Sequence, residues 1–298
     1  MEKDASGNKR SLPRLRNIYL KGPGATSTPA SISPTSWLRI FRNSPLLSSV
    51  WFRGDPHLFP ELGELFEWSN ITEFSTVISS VELFSRCNKI LCAMPRLTVF
   101  KLTFAPYGAQ PNTTENGDIS FHPGAQLPEL RDFWVCLDQG GPFDLSLVFR
   151  IFPRAPRLSR FSLQPTNSVS ITDSFLPEFA NFILRSQCTI TYLQINDLLA
   201  HQTMELFKLL PHVESLVAER VHFDEKLITQ LVTAPDVHHP QPRADPVLLP
   251  KLKSVGVELV VKQGLERYVY NVFESRRLYP AVEGGPTLER VYVKLVLH

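Results

Sequence analysis

The stretch LPRLRNIYL, residues 12–20, returns with small changes along the whole chain. A proline near its start is followed by one variable, one apolar, two variable, one apolar, one variable and one apolar residue. The close copies are MPRLTVFKL at 94–102, LPELRDFWV at 127–135, APRLSRFSL at 155–163 and LPKLKSVGV at 249–257. A phrase that recurs at an interval of roughly 20–50 residues is typical of an array of stacked structural units.

Weaker copies extend the series to ten. They are SPLLSSVWF at 44–52, NITEFST at 70–76, TITYLQI at 189–195, PHVESLVA at 211–218 and PTLERVYV at 286–293. Apolar and polar residues alternate within each copy, so each copy predicts a β-strand. The intervals between successive copies vary from 22 to 39 residues.

The segments between the strands have apolar residues at a period near 3.6, which predicts helices. They are 36–44, 77–94, 143–155, 172–186, 203–210, 225–232 and 265–277. A strand, a crossover helix and a second parallel strand form a right-handed unit. Copies this uneven favour an open solenoid over a closed barrel of eight equal units. We therefore predict an α/β solenoid with a parallel sheet on its concave side and helices on its convex side.

One domain over 12–298 accounts for the whole series, and residues 1–11 are predicted to be a disordered arm. Segments 21–34, 109–126 and 234–246 are rich in proline and polar residues and are predicted to be surface loops. The first unit starts directly with apolar residues such as Leu12. We therefore expect an uncovered apolar edge there that promotes self-association.

The alternation also predicts which residues point away from the helices. In the first strand, Ile18 and Leu20 point into the core, whereas Tyr19 points to the concave face. The same step puts Trp51, Lys101, Trp134, Gln194 and Tyr292 at the position of Tyr19. The flanking outward residues are Arg53, Asp132, Arg160, Tyr192, Glu219, Glu258, Arg290 and Lys294.

Aromatic residues and arginine are enriched in the hot spots of protein interfaces. We therefore predict a partner-binding face with four aromatic anchors and charged or polar neighbours. The anchors are Tyr19, Trp51, Trp134 and Tyr292, and the neighbours are Arg53, Lys101, Asp132, Arg160 and Tyr192. The alternative is that these aromatic residues only cover the sheet, as aromatic residues in strands commonly do.

Charge and hydropathy narrow the classes of partner. The chain has 31 Lys and Arg against 29 Asp and Glu, so its net charge of +2 favours neither nucleic acid nor an anionic membrane as a partner. No apolar run has the length of a signal peptide core or a membrane span. The four cysteines lie in apolar stretches and are expected to be buried thiols. We predict a cytoplasmic or nuclear protein that is not secreted.

Motifs of catalysis and of metal binding are missing from the sequence. It contains no phosphate-binding GxxxxGK[ST] or GxGxxG, no GxSxG and no HExxH. Cys87 with Cys92, and His201 with Glu205, lack further ligands at a suitable spacing. We therefore predict no enzyme activity, no metal and no cofactor. The basic run Arg150, Arg154, Arg157 and Arg160 is interpreted as arginines that face water.

The order of these phrases, together with the late helix that ends in ESRR at 274–277 before a last strand, resembles the leucine-rich-repeat region of the F-box proteins of mushroom-forming fungi. The likeness covers the chain from about residue 12 to its end. It implies a substrate receptor of an SCF-type ubiquitin ligase, in which the concave face of the repeats holds the protein to be ubiquitylated.

The F-box, a helical segment that binds the adaptor, stands near the N-terminus in that family. Only the 11 residues MEKDASGNKRS precede Leu12, so no adaptor-contact residue can be carried over. The adaptor of a cullin ligase is therefore a predicted partner only if an F-box lies upstream. One alternative is a free-standing repeat scaffold or competitor without a link to a ligase. A remote alternative is an enzyme that uses no readable motif.

Overall fold

The computed structural model describes residues 12, 14–21, 41, 44–53, 67–78, 81–105, 126–138, 145–165, 174–222, 227, 230–231, 248–261, 266–278 and 285–297. The predicted arm at 1–11 lies outside the described residues. So do the loops predicted at 21–34, 109–126 and 234–246, apart from Lys21 and Gln126.

Ten parallel strands form one open sheet in which the strands follow one another in chain order. They are β1 (Asn17–Lys21), β2 (Ser49–Arg53), β3 (Glu73–Ile78), β4 (Val99–Phe104), β5 (Asp132–Leu137), β6 (Arg160–Pro165), β7 (Tyr192–Asn196), β8 (Ser215–His222), β9 (Ser254–Val261) and β10 (Arg290–Leu297). Each predicted copy contributes one strand, including the weak copies at 70–76 and 189–195. The predicted α/β architecture with a parallel sheet is confirmed.

Five helices connect strands within the described residues. They are α1 (Val81–Leu91), α2 (Leu145–Ile151), α3 (Phe175–Ser186), α4 (Ala200–Leu209) and α5 (Glu266–Leu278). Each overlaps a predicted helix, and Leu227, Gln230 and Leu231 in the segment predicted at 225–232 are also helical. The helix predicted at 36–44 lies outside the described residues, apart from Phe41 and Ser44.

A tight turn precedes most strands and explains the proline of the repeated phrase. In seven copies the residue before the proline accepts a hydrogen bond from the backbone N–H three residues later, over 3.0 to 3.3 Å. The acceptor and donor pairs are Leu12 and Leu15, Ser44 and Leu47, Met94 and Leu97, Leu127 and Leu130, Ala155 and Leu158, Leu210 and Val213, and Leu249 and Leu252. Proline suits the second position of such a turn because its φ is already fixed near −65° and no donor is needed there.

A ladder of backbone carbonyls joins the copies directly after these turns. The carbonyl of Arg16 accepts hydrogen bonds from the N–H groups of Ser48 at 2.9 Å and of Ser49 at 3.0 Å. The same pair of hydrogen bonds to one carbonyl recurs at every step from one copy to the next. The accepting carbonyls are those of Arg16, Ser48, Thr72, Thr98, Arg131, Ser159, Thr191, Glu214 and Lys253. Equivalent residues of all ten copies therefore lie side by side in rows across the sheet.

The core lies between the sheet and the helices and is built largely from phenylalanine. Phe74, Phe100, Phe133 and Phe161 form one row on β3 to β6, and all four are buried. Phe74 stacks on Phe100 at 5.8 Å, and Phe100 stacks on Phe133 at 5.4 Å between ring centroids. Phe152, directly after α2, covers this row and lies 4.4 Å from Phe133. Aromatic packing of this kind supplies a large buried apolar area per residue.

The predicted uncovered edge is not observed for the side chains of the first strand. Ile18 is 9 % exposed and Leu20 is 5 % exposed, so the side chains that should form this edge are covered. They belong to the same core cluster as Leu47, Val50 and other residues of the second unit. Ahead of the strand, Leu12 is 37 % exposed and Leu15 is half-buried, so these two residues of the predicted edge are only partly covered.

A buried arginine ties α5 to the turn before β9. Arg276, the third residue of ESRR, is 2 % exposed, and burial lowers the pKa of its guanidinium group to about 10. Its Nη2 donates a hydrogen bond to the carbonyl of Leu249 at 2.8 Å, and its own carbonyl accepts one from the N–H of Leu288 at 3.1 Å. The side chain and backbone of one residue thus connect α5 to both the ninth and the tenth copy.

We expect Arg276→Lys to lower the free energy of unfolding by about 1–3 kcal/mol in urea titrations. Lysine lacks the guanidinium fork, which leaves the buried carbonyl of Leu249 without its donor. The control is Arg277→Lys, next in the chain and exposed, where Arg277 only pairs with Glu274 at 3.3 Å. Arg277→Lys should change the free energy of unfolding by less than about 0.5 kcal/mol. Equal losses in the two variants would contradict the role assigned to Arg276.

Candidate functional site

The outward-pointing residues of the ten strands form the side of the sheet away from the helices, here called the open face. Its middle row consists of Tyr19, Trp51, Ser75, Lys101, Trp134, Ser162, Gln194, Val217, Gly256 and Tyr292. The structure thus places five residues level with Tyr19, as the alternation predicts. The sequence reasoning did not name Ser75, Ser162, Val217 and Gly256, although the same step along each copy would have found them.

Several of the aromatic anchors contact water. Tyr19 is 57 %, Trp51 45 % and Tyr292 65 % exposed, while Trp134 is half-buried. Their chain neighbours that point to the helices, such as Ile18 and Val50, are buried. Large exposed side chains in one row therefore distinguish the open face from the core side of the same strands.

Four residues of the middle row contact one another and are here called the aromatic–lysine row: Tyr19, Trp51, Lys101 and Trp134. The rings of Tyr19 and Trp51 lie 6.3 Å apart at 55°. Lys101 Nζ lies 5.7 Å from the ring centroid of Trp51 and 5.5 Å from that of Trp134. The ammonium group is therefore attracted by two indole rings at once, within the range of cation–π interactions.

A charged group lies beside this row, on β5 to β7. Arg160 Nε is 2.6 Å from Asp132 Oδ1, and the guanidinium carbon of Arg160 is 4.3 Å from the ring centroid of Tyr192. Burial raises the pKa of the Asp132 carboxyl group, and the positive charges of Arg160, Lys101 and Arg131 oppose that rise. Arg160 thus connects an acidic and an aromatic side chain of its two neighbouring strands.

Two of the predicted binding residues lie less centrally. Arg53 is exposed on β2, two residues after Trp51 and one row further along the strands. Tyr292 lies on β10, five strands from Trp134, which corresponds to about 24 Å at the usual strand spacing. The structure therefore brings Tyr19, Trp51, Lys101, Asp132, Trp134, Arg160 and Tyr192 together, with Arg53 nearby, and leaves Tyr292 apart.

A depression of about 450 Å³ lies at the β1 to β3 end of the open face. Its lining residues are Asn17, Ile18, Tyr19, Ser49, Trp51 and Glu73. Sequence reasoning missed Glu73, whose outward position follows from the alternation in the weak copy NITEFST. An exposed carboxylate thus lies beside the Tyr19 and Trp51 pair.

The basic run does not form a positive patch. Arg150 pairs with Glu178 at 3.2 Å, and Arg157 pairs with Glu129 at 2.5 Å. Arg160 pairs with Asp132, as described above. Three of the four arginines are therefore next to carboxylates of neighbouring units, and these side chains face water.

The described cysteines are thiols, but they are not all buried. Cys87 and Cys188 are buried, and burial raises the pKa of Cys188 to about 11. Cys136 is half-buried on the open face and Cys92 is exposed, so the expectation of burial is wrong for Cys92. Cys92 directly follows the last residue of α1, and its neighbour Ala93 is exposed as well.

Within the part of the chain that the structure describes, no three His, Cys, Asp or Glu residues are grouped to hold a metal ion. His201 and Glu205 are both exposed on α4, and Glu205 pairs with Lys208 at 2.7 Å. No helix among the same residues is long and apolar enough to cross a membrane.

Neither a protein-family model nor a curated protein matches this chain. The resemblance to leucine-rich-repeat F-box proteins therefore stays a prediction, as does the partner-binding role of the open face.

We expect Trp51→Ala to change the free energy of unfolding by less than about 1 kcal/mol, because nearly half of the side chain contacts water. The matched control is Trp68→Ala. Trp68 is 3 % exposed and packs edge-on against Phe74 at 5.8 Å. Trp68→Ala should lower the free energy of unfolding by about 3–5 kcal/mol. Urea unfolding followed by circular dichroism measures both, and a large loss for Trp51→Ala would mean that this residue belongs to the core.

The Asp132 carboxyl should titrate above its ordinary pKa of about 3.9. Since its folded-state pKa is raised, protonation favours the folded state, and Asp132 costs stability above that pKa. Relative to Asp132→Asn, the wild type should therefore gain stability as the pH falls through this range. Arg160→Met should raise the pKa further because it removes an opposing positive charge. Carbon-13 NMR of the carboxyl group measures its pKa in the wild type and in Arg160→Met. A wild-type pKa below the ordinary value would contradict the interpretation.

Proposed function

We propose that this chain is a non-catalytic protein-interaction domain, a leucine-rich-repeat solenoid whose open face is the concave face that captures another protein. The observation that carries the proposal is the aromatic–lysine row. Tyr19 and Trp51 stand exposed on the side of the sheet away from the helices, and the half-buried Lys101, which has no ion-pair partner among the described residues, lies beside Trp51 and Trp134. Aromatic residues clustered among charged ones are the composition of interface hot spots.

The dimensions of the open face support a macromolecular partner. Ten strands at a spacing of about 4.8 Å extend over roughly 40 Å. An enzyme site needs several titratable groups that converge in a pocket. The depression near β1 has two titratable side chains, Tyr19 and Glu73, among its described lining residues. An enzyme is therefore the weaker alternative.

The charges beside the aromatic residues suit selection between partners. Asp132 and Arg160 neutralise each other, while Lys101 forms no ion pair with a described residue. Arranged charges next to apolar anchors contribute to specificity and to the rate of association more than to affinity. Arg53, one row further along β2 than Trp51, is a further exposed basic residue near these charges.

The resemblance to F-box proteins extends the proposal to a biological role. We propose that the chain recognises the substrate of an SCF-type ubiquitin ligase in the cytoplasm or nucleus. Contact with the adaptor would require an F-box segment upstream of residue 12. A free-standing scaffold, or a competitor of full-length relatives, is the alternative that needs no such segment.

The binding role predicts the behaviour of a double variant. Trp51→Ala with Trp134→Ala should remove at least nine-tenths of the partner that the wild type captures, because both apolar anchors are lost. The control is Tyr270→Ala, an aromatic residue on α5 that is 61 % exposed and lies outside the open face. Cross-linking and quantitative mass spectrometry of captured proteins compare the three chains. Equal capture by the double variant and the control would contradict the proposal.

The link to a ligase is tested separately from binding. The intact mass of the protein purified from its own cells decides between the two roles. A mass several kilodaltons above 33.8 kDa, with additional N-terminal peptides and a co-purified cullin adaptor, supports the substrate receptor. A mass of 33.8 kDa without an adaptor supports the free-standing scaffold.

A further inference from the structure

We infer that the aromatic–lysine row binds an extended segment of its partner in which an acidic residue stands between two apolar residues, in the order apolar, any, acidic, any, apolar. The inference rests on the proposed function, because it names the chemistry of the partner for the same face. Three observations carry it: the surroundings of Lys101, the spacing of the two tryptophans and the distribution of charge around them.

The ammonium group of Lys101 has two aromatic neighbours and no ion-pair partner among the described residues. The side chain is half-buried, and its Nζ is almost equally far from the rings of Trp51 and Trp134. Among the described residues no carboxylate lies within ion-pair distance of it. The Asp132 carboxylate is close enough to sense its charge, yet it pairs with Arg160 at 2.6 Å. A partly desolvated ammonium group is stabilised when an anion joins it, so a carboxylate is the group that complements this site.

The backbone spacing of the two tryptophans matches an extended peptide that crosses the strands. Trp51, Ser75, Lys101 and Trp134 are level with one another on β2 to β5, so the backbones of the two tryptophans are three strand intervals, or about 14 Å, apart. An extended chain rises about 3.4 Å per residue, and its residues i, i+2 and i+4 point to one side. Residues i and i+4 are therefore also about 14 Å apart, which matches the backbone spacing of Trp51 and Trp134. The two rings lean toward Lys101, so side chains at i and i+4 that lean toward residue i+2 lie over the indoles.

The middle residue of such a segment falls over the ammonium group. Residue i+2 lies halfway between i and i+4, and Lys101 Nζ is almost equally far from the two rings. Ser75, the small residue between Trp51 and Lys101 in the row, leaves room for a side chain to reach Nζ. Two apolar side chains on the indoles would exclude water from the ion pair and strengthen it.

Glu73 makes the site selective for a single acidic residue. It is exposed on β3, two residues before Ser75, and it pairs with no described cation. A second carboxylate on that side of the segment would approach it and be repelled. Acidity at the middle position is thus favoured, whereas a generally acidic peptide is not.

The test is a selection of random nonapeptides displayed on phage against the full chain, with removal of those that also bind the variant Trp51→Ala with Trp134→Ala. The expected result is enrichment of Asp or Glu flanked at a distance of two residues on each side by Leu, Ile, Phe, Met or Trp. For a synthetic selected peptide, Lys101→Met should weaken binding about tenfold or more in fluorescence anisotropy. Lys208→Met, on α4 and outside the open face, should leave it unchanged.

Charge reversal gives the sharpest check. Lys101→Glu should select Lys or Arg at the middle position while the flanking apolar residues persist. The inference is overturned if no peptide is enriched, if enriched peptides lack the middle acidic residue or its spacing, or if Lys101→Met binds as well as the wild type.

The two proposals fail in distinguishable ways. If capture of the protein partner depends on Trp51 and Trp134 but is unchanged in Lys101→Met, the interaction domain stands and the acidic segment is wrong. If capture depends on none of the three residues, the open face is not the binding face and both proposals fail.

Discussion

The backbone carbonyl that precedes each strand and accepts two N–H groups from the next copy sets the register on which the rest of the structure depends. The same two bonds occur at every step from Arg16 to Arg290. In four copies a serine or threonine hydroxyl also donates to one of these carbonyls, as Thr98 Oγ1 does to the carbonyl of Thr72 at 2.9 Å. Because a shift of one residue would turn every side chain to the opposite face, this repeated bond also keeps the core and the open face distinct.

Equal register turns equivalent residues into rows, and the two faces use their rows differently. On the helix side, Phe74, Phe100 and Phe133 stack in succession and exclude water. On the open face, by contrast, the rings of Trp51 and Trp134 both lie next to the ammonium group of Lys101. The helices are held over the core by similar means in the middle of the sheet and near β9. Arg185 on α3 donates hydrogen bonds to the carbonyls of Phe149 and Phe152 at the end of α2, and Arg276 does so at the turn before β9.

The open face carries features that stability alone does not explain. Tyr19 and Trp51 expose about half of their surface, and burial raises the pKa of the Asp132 carboxyl despite the nearby Arg160. A group whose ionised form is disfavoured by its surroundings costs folding free energy at neutral pH. Such costs are common where residues are arranged for a partner, whose contacts then offset them. The concentration of these features on β1 to β7 locates the candidate binding region on one part of the sheet.

The sequence by itself determined the ten strands, their order and the face to which each residue points. Two-residue alternation is a local pattern that every copy carries, and the proline turn is a local pattern that seven of the copies carry. Only the tertiary structure decided that Lys101 lies between two indoles, that Asp132 pairs with Arg160, that Arg276 is buried and that Ile18 and Leu20 are covered. Those contacts join side chains of different copies, some 25 to 50 residues apart in the chain. Their geometry depends on strand spacing and on side-chain conformations, which no periodicity within a single copy records.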